Sequence, residues 1–100
     1  MSVRLLIHAP TPASLERARS NARNLLKADP SAEVEIVANA AGARAAIEGP
    51  PTPEGETAPI LCGNSIANQG LTAPEGARVV EAAVLYIAQR QAQGWAYMRA

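Results

Sequence analysis

The fold class of this 100-residue chain is decided by its first apolar run, VRLLIHA at residues 3–9. Only Arg4 and His8 interrupt the apolar side chains, which is the pattern of a parallel strand covered on both faces. Residues 33–39 (EVEIVAN) alternate at first and then fill with apolar residues, and residues 59–62 (PILC) form a short buried run. These segments predict three strands of one sheet.

Segments with helical periodicity separate the strands. The spacing predicts a helix that Ser14 caps and that ends before Asp29, and three more helices over 40–48, 64–69 and 82–93. In the last helix, the side chains predicted to face inward are Val84, Leu85, Ile87 and Ala88, and those predicted to face solvent are Gln89, Arg90 and Gln93. Further strands are predicted over 77–81 and 95–99. The alternation predicts an α/β fold, a three-layer sandwich with a mainly parallel five-stranded sheet and helices on both faces, as one domain over 1–100.

Composition excludes several classes of function. Nine basic and nine acidic residues give a formal net charge of zero, so no basic field attracts nucleic acid or an anionic membrane surface. The apolar N-terminal run is too short for a signal sequence or a membrane span. One cysteine and one histidine exclude an intramolecular disulfide and a multi-thiolate metal site within one chain, so no metal or cofactor is predicted. We expect a cytoplasmic protein.

Small side chains dominate the apolar fraction, since alanine is abundant and phenylalanine is absent. A thinly filled core of this size indicates that self-association completes the stability of the fold. Three bulky residues come late in the chain: Trp95, Tyr97 and Met98. We expect a second copy of the chain to cover them, while a core position for the aromatic residues is the alternative.

Polar residues follow three of the predicted strands: His8 after the first, Asn39 after the second, and the segment CGNS at 62–65 after the third. In an open parallel sheet, ligands and reactive groups collect beyond the carboxyl ends of the strands. Cys62 lies between a strand end and a helix start, where the helix dipole favours a thiolate. A buried and inert cysteine is the alternative.

The neighbours of Cys62 suit this chemistry. Gly63 leaves backbone room beside the sulfur, and Asn64 or Ser65 can cap the helix or donate to an anion, although an N-cap role alone is the simpler interpretation of Ser65. In a 2-1-3 strand order the first and third strands are neighbours, so His8 is a candidate base for Cys62. The alternatives are a His8 that bonds a loop carbonyl and an Asn39 that only forms a turn.

Four segments, NARNLLKADP (21–30), VEIVAN (34–39), LCGNS (61–65) and QAQGWAY (91–97), resemble the DsrE/DsrF-like group of small proteins. The likeness is closest to the single-cysteine members with a Cys-Gly-Asn-Ser loop. The resemblance implies a mainly parallel α/β fold, assembly into homotrimers or homohexamers, and a Cys62 that carries persulfide sulfur, with Asn64 and Ser65 in the flanking motif. The alanine-rich second helix and the proline-rich loop at 49–57 depart from the family pattern.

These observations lead to three hypotheses. In the first, Cys62 accepts sulfane sulfur as a persulfide from a donor and passes it to a partner protein thiol, which is group carriage more than enzymatic turnover. In the second, the strand-end pocket binds a small anion or a nucleotide-like ligand, and Cys62 is only part of its wall. In the third, the chain is an oligomeric scaffold and Cys62 is inert.

Overall fold

The computed structural model describes residues 2–100, which contain five strands and four helices. The strands are β1 (Arg4–Ala9), β2 (Glu33–Ala38), β3 (Pro59–Cys62), β4 (Val79–Val80) and β5 (Ala96–Arg99). The helices are α1 (Pro12–Ala28), α2 (Ala40–Glu48), α3 (Gly63–Asn68) and α4 (Ala83–Ala92). All paired strands are parallel, which confirms the predicted α/β class. No helix among these residues is long and apolar enough to cross a membrane.

The strand order is β4-β3-β2-β1-β5, so the expected 2-1-3 order is wrong. β1 lies between β2 and β5, and β2 separates β1 from β3. The chain adds β2, β3 and β4 in one direction and then returns across the sheet to place β5 on the other side of β1. The 2-1-3 expectation placed the reversal before β3, whereas the chain reverses before β5, and this difference decides which strand ends meet.

This order also fixes the layers. Right-handed crossovers that run in one direction place their helices on one face, and a crossover that runs back places its helix on the opposite face. On the first face, Leu15, Ala18 and Ala22 of α1 pack on alternate residues of the central strands, such as Ile7 and Ile36. On the second face, which we call the α4 face, α4 packs on a cluster of side chains from both sheet and helix: Leu6, Val37, Ile60, Cys62, Ala83, Tyr86 and Trp95.

Helix α4 covers its face incompletely. A single helix with its side chains is about 10–12 Å in diameter, whereas five strands span about 19 Å across the sheet. The predicted inward side of α4 is wrong in part, because Val84 is 77% exposed and Leu85 is 47% exposed, while Ala83 and Tyr86 are the buried positions. The end of the α4 face near the carboxyl ends of β1 and β5 is therefore open.

Two further expectations are corrected. Helix α1 begins at Pro12, and Thr11 is its N-cap because the Thr11 side chain accepts from the backbone N–H of Ser14. Arg90 does not point into solvent: it forms an ion pair with Glu35 of β2 at 2.8 Å, and Tyr86 donates a hydrogen bond to the same carboxylate. This pair draws α4 onto the sheet through charge, which apolar periodicity does not reveal.

Candidate functional site

Cys62 is the last residue of β3 and the N-cap residue of α3, and its side chain belongs to the α4 face. The thiol is 5% exposed. The backbone N–H of Ala83, the first residue of α4, donates to the Cys62 sulfur with an N···S distance of 3.3 Å. The sulfur thus lies between the starts of two helices, where partial positive charge collects.

Burial has the largest single effect on the Cys62 thiol and raises its pKa, because a thiolate loses hydration there. Hydrogen bonds from the Ser65 hydroxyl and from the backbone N–H groups of Ala83, Ser65 and Asn64 act in the opposite direction. Their combined effect exceeds that of burial, so the pKa of Cys62 lies below its ordinary value of 9.0. A buried thiol with this donor set is arranged to hold a thiolate.

Ser65 is held in place for this role. Its Oγ accepts the backbone N–H of Ala40 at 2.8 Å, so the hydroxyl proton is available to the sulfur. Ala40 has a φ of +49°, a left-handed conformation that costs a residue with a Cβ on the order of 1 kcal/mol. The Gln69 amide donates to the Ala40 carbonyl at 2.8 Å and fixes the same segment. The alternative interpretation of Ser65 as an N-cap is therefore wrong, because Cys62 holds that position and Ser65 is the third residue of α3.

Gly63 allows the start of α4 to reach the sulfur. A Cβ at position 63 would lie 2.9 Å from the Val80 carbonyl oxygen and 3.2 Å from that of Glu81. The backbone N–H of Asn64 donates to the Glu81 carbonyl at 3.2 Å, which locks this close approach, while the Asn64 side chain is exposed. The expected backbone room at Gly63 thus serves the chain segment that brings Ala83 to Cys62.

His8 does not contact Cys62. Its Nδ1 lies 2.7 Å from the Tyr97 hydroxyl and its Nε2 lies 2.8 Å from the Asn39 Oδ1. Since β2 separates β1 from β3, the two side chains stand two strands apart, or about 10 Å. The expectation that His8 is a direct base for Cys62 is therefore wrong, and the reason is the strand order.

Asn39 connects the two halves of the site. The pairing of Ala38 with Leu61 places Asn39 alongside Cys62, and the Asn39 side chain turns toward His8. An amide oxygen only accepts hydrogen bonds, so this contact puts the proton of a neutral His8 on Nε2 and leaves Nδ1 to accept the Tyr97 hydroxyl. Asn39 is therefore more than a turn residue, since it fixes the tautomer of His8.

A pocket of about 380 Å³ opens beside His8, Asn39 and Tyr97. Its lining combines polar and apolar side chains: His8, Asn39, Val84, Ile87 and Tyr97. The sequence alone predicted a subunit contact or a core position for Tyr97, and not a place in this site. Alternation of side chains along β5 places Tyr97 on the same face of the sheet as His8, but this can be used only once β5 is known to pair with β1.

Among the three bulky late residues, Trp95 is buried within its own chain, so the expectation that a second copy covers it is wrong. Arg90 lies over the Trp95 ring at 4.7 Å and Arg4 lies on it at 5.8 Å. Tyr97 remains 41% exposed and Met98 is half-buried. Within residues 2–100, no three His, Cys, Asp or Glu side chains gather as a metal site would require.

The chain is similar to the solved structure of MTH1491, a protein of unknown function from Methanobacterium thermoautotrophicum, with a TM-score of 0.83 and 25% sequence identity. The likeness covers 99% of this chain and 100% of the other. No protein-family model matches the sequence. No curated protein matches it either. The comparison therefore supports the α/β fold over the full length of both chains.

Proposed function

We propose that this protein is a cytoplasmic sulfur carrier in which the Cys62 thiolate accepts sulfane sulfur as a persulfide and relays it to a thiol of a partner protein. The observation that carries the proposal is the donor set around Cys62, which lowers the pKa of the only cysteine in the sequence. The resemblance of the CGNS loop to DsrE/DsrF-like proteins supports the same chemistry, and membership of that group is part of the proposal.

The chemistry balances without an external oxidant. The Cys62 thiolate attacks the outer sulfur of a donor persulfide R–S–SH; the bond between Sγ and that sulfur forms, the donor S–S bond breaks, and its electron pair leaves with R–S⁻. In the second step a partner thiolate attacks the outer sulfur of Cys62–S–SH, and the electron pair returns to Cys62. The donor N–H and O–H groups stabilise the Cys62 anion both before the first step and after the second.

Burial of Cys62 suits a carrier. A thiol that is 5% exposed is protected from oxidation by bulk solutes. An S–S bond of about 2.05 Å places the outer sulfur of a persulfide beyond Sγ. The loaded form therefore presents its transferable atom closer to the surface than the unloaded form presents its thiol.

The direct test is mass spectrometry of the intact protein after incubation with a sulfane-sulfur donor. We expect a mass increase of one sulfur atom that a reductant removes and that Cys62→Ser abolishes. Transfer of that atom to a second protein thiol tests the relay step. A wild-type protein that gains no sulfur from cysteine persulfide or inorganic polysulfide would contradict the proposal.

The pocket beside His8 favours a second candidate function, a small-ligand binding module with Cys62 in a bystander role. Thermal stabilisation by a ligand that Cys62→Ser leaves unchanged would support it. In the scaffold alternative, native Cys62 reacts with iodoacetamide no faster than a buried thiol and accelerates only on unfolding. The single cysteine makes this reaction specific for one site.

We further propose self-association through the exposed apolar side chains of the open α4 face. These are Val84, Leu85 and Tyr97, which are 77%, 47% and 41% exposed. Apolar groups at this level of exposure gain free energy when a second copy covers them. Sedimentation analysis should show a homotrimer or homohexamer that Leu85→Glu dissociates, and a wild-type monomer at micromolar concentration would refute this.

A further inference from the structure

The pocket lined by His8, Asn39, Val84, Ile87 and Tyr97 stands where the order of strand addition reverses. From β1 the chain builds outward to β4, and then it crosses back to add β5 on the other side of β1. In open parallel sheets, small molecules bind beyond the carboxyl ends of the strands at such a reversal. His8 is the penultimate residue of β1, and the Tyr97 side chain reaches it from the second residue of β5. The topology thus marks this pocket independently of Cys62.

The lining limits what the pocket accepts. Val84 and Ile87 form an apolar wall, His8, Asn39 and Tyr97 supply polar atoms, and none of the five is Lys, Arg, Asp or Glu. A volume of about 380 Å³ is near the lower end of small-molecule sites. The pocket therefore suits an amino-acid-sized molecule that it holds by apolar contact and by hydrogen bonds, without an ion pair to the lining.

The Tyr97 hydroxyl is oriented to receive that end. Because Asn39 fixes the proton of neutral His8 on Nε2, the Tyr97 O–H donates to Nδ1. The lone pairs of the Tyr97 oxygen are then left to accept from a ligand N–H or O–H. His8 and Asn39 are positioning residues here, since they act on the ligand through Tyr97.

The wall of the pocket that Asn39 and Val84 form, on the side away from Tyr97, adjoins Cys62. Asn39 stands alongside Cys62 by strand register, and Val84 follows Ala83, whose N–H bonds the sulfur. From His8 to Cys62 the pocket and its wall span two strand spacings, about 10 Å. A molecule the length of a small organic persulfide bridges this distance.

We propose that the pocket binds the sulfur donor of Cys62 as a low-molecular-weight organic persulfide such as cysteine persulfide, with its amino end on Tyr97 and its sulfur end at the wall that Asn39 and Val84 share with Cys62. This inference rests on the proposed carrier function. It adds that the donor is a small molecule, and it assigns the residues that select it. The transfer step is the attack of the Cys62 thiolate on the outer sulfur with departure of R–S⁻.

The test measures the rate of Cys62 loading against donor concentration for two donors, cysteine persulfide and inorganic polysulfide, which lacks an amino end. With cysteine persulfide the rate should saturate, and Tyr97→Phe should raise the half-saturating concentration roughly three- to tenfold, as expected for one lost hydrogen bond. With inorganic polysulfide Tyr97→Phe should change the rate less than twofold. Val3→Ala, an exposed apolar substitution at the other end of the sheet, is the matched control.

A second measurement detects binding without transfer. The Cys62→Ser protein, titrated with S-(methylthio)cysteine, should show saturable NMR shifts of backbone amides at the five lining residues. If both donors load Cys62 with rates that stay linear in concentration, or if Tyr97→Phe slows both equally, the carrier function stands and the donor pocket is refuted. If neither donor loads Cys62 but the probe binds, the carrier function and the donor role both fail and the ligand-binding module is supported.

Discussion

The backbone N–H of Ala83 points at the sulfur of Cys62 from 3.3 Å, across 21 positions of sequence. The contact joins the carboxyl end of β3 to the first turn of α4. It places the positive end of a ten-residue helix on a thiol that also receives the Ser65 hydroxyl. The lowered pKa of Cys62 therefore depends on the position of α4, and not on the CGNS loop alone.

Gly63→Ala should weaken this contact. The added Cβ would meet the Val80 carbonyl oxygen at 2.9 Å, so the segment that leads to Ala83 must move away from the sulfur. The pKa of Cys62 then rises, and alkylation by iodoacetamide at neutral pH slows roughly threefold to tenfold, as for a lost hydrogen bond to a charged group.

The pH profile of alkylation measures this effect, and its midpoint should move to higher pH. Gly76→Ala is the matched control, because a Cβ there meets nothing within 4 Å although φ is +82°. It should cost stability without moving the profile. An unmoved profile in Gly63→Ala would contradict the role assigned to the start of α4.

Ser65→Ala should raise the pKa of Cys62 through loss of the side-chain donor, and slow alkylation at neutral pH on the order of tenfold. The same substitution leaves the Ala40 N–H without its acceptor and should lower the free energy of unfolding by about 1 kcal/mol. Ser65→Thr keeps the hydroxyl and should retain most of the wild-type rate. Equal slowing by both variants would indicate a packing effect.

Glu35 should make stability depend on acid pH. Burial raises its pKa, but hydrogen bonds from Arg90 and Tyr86 and the charges of Arg90 and Arg78 lower it below the ordinary value of 4.5. The unfolded chain therefore binds the proton more tightly, so this stabilisation is complete above about pH 4.5 and is lost as pH falls through the lower native pKa.

Glu35→Gln should lower the free energy of unfolding at pH 7 by on the order of 2 kcal/mol, because Arg90 loses its charged partner. Chemical denaturation as a function of pH should show the gap from wild type closing under acid conditions. Glu33→Gln, on the same strand and exposed, is the control and should leave the curve unchanged. A gap that persists at low pH would mean that the side chain acts through shape and not through charge.

Gly42→Ala should destabilise the fold although it lies inside α2, where alanine is the better helix former by about 1 kcal/mol. A Cβ at position 42 would come within 2.0 Å of the Ala9 carbonyl oxygen, so α2 cannot stay against the end of β1. We expect a net loss of about 2 kcal/mol or more in chemical denaturation. Ala41→Gly, at the exposed neighbour, isolates the helix-propensity term, and a stabilised Gly42→Ala would refute the close approach.

The order of strands and helices was predictable from the sequence because each strand is a compact apolar run that Pro, Gly or polar residues end. The place of Cys62 followed from the same pattern, since PILC ends where CGNS begins. The position of the cysteine between a strand end and a helix start was thus available from local information.

Which residues share the site could not be predicted from local sequence patterns. Whether β5 pairs with β1 or with β4 depends on the direction of the last crossover, which no local pattern encodes. The partnership of His8 with Tyr97 follows from that step, and the separation of His8 from Cys62 follows from the pairing of β3 with β2. The buried side of α4 was predicted wrongly because the exposed Val84 and Leu85 are as apolar as the residues that α4 buries. The ion pair between Glu35 and Arg90 sets the rotation of α4 about its axis.

The bond between His8 and Tyr97 joins residues 89 positions apart. Formation of β5 is the last event that synthesis allows, because its residues leave the ribosome after every other element of this domain. A nascent chain therefore has Cys62 and its loop before it has the pocket. The pocket lined by His8 and Tyr97 is complete only when β5 pairs with β1, so a probe that binds there would report on a finished fold.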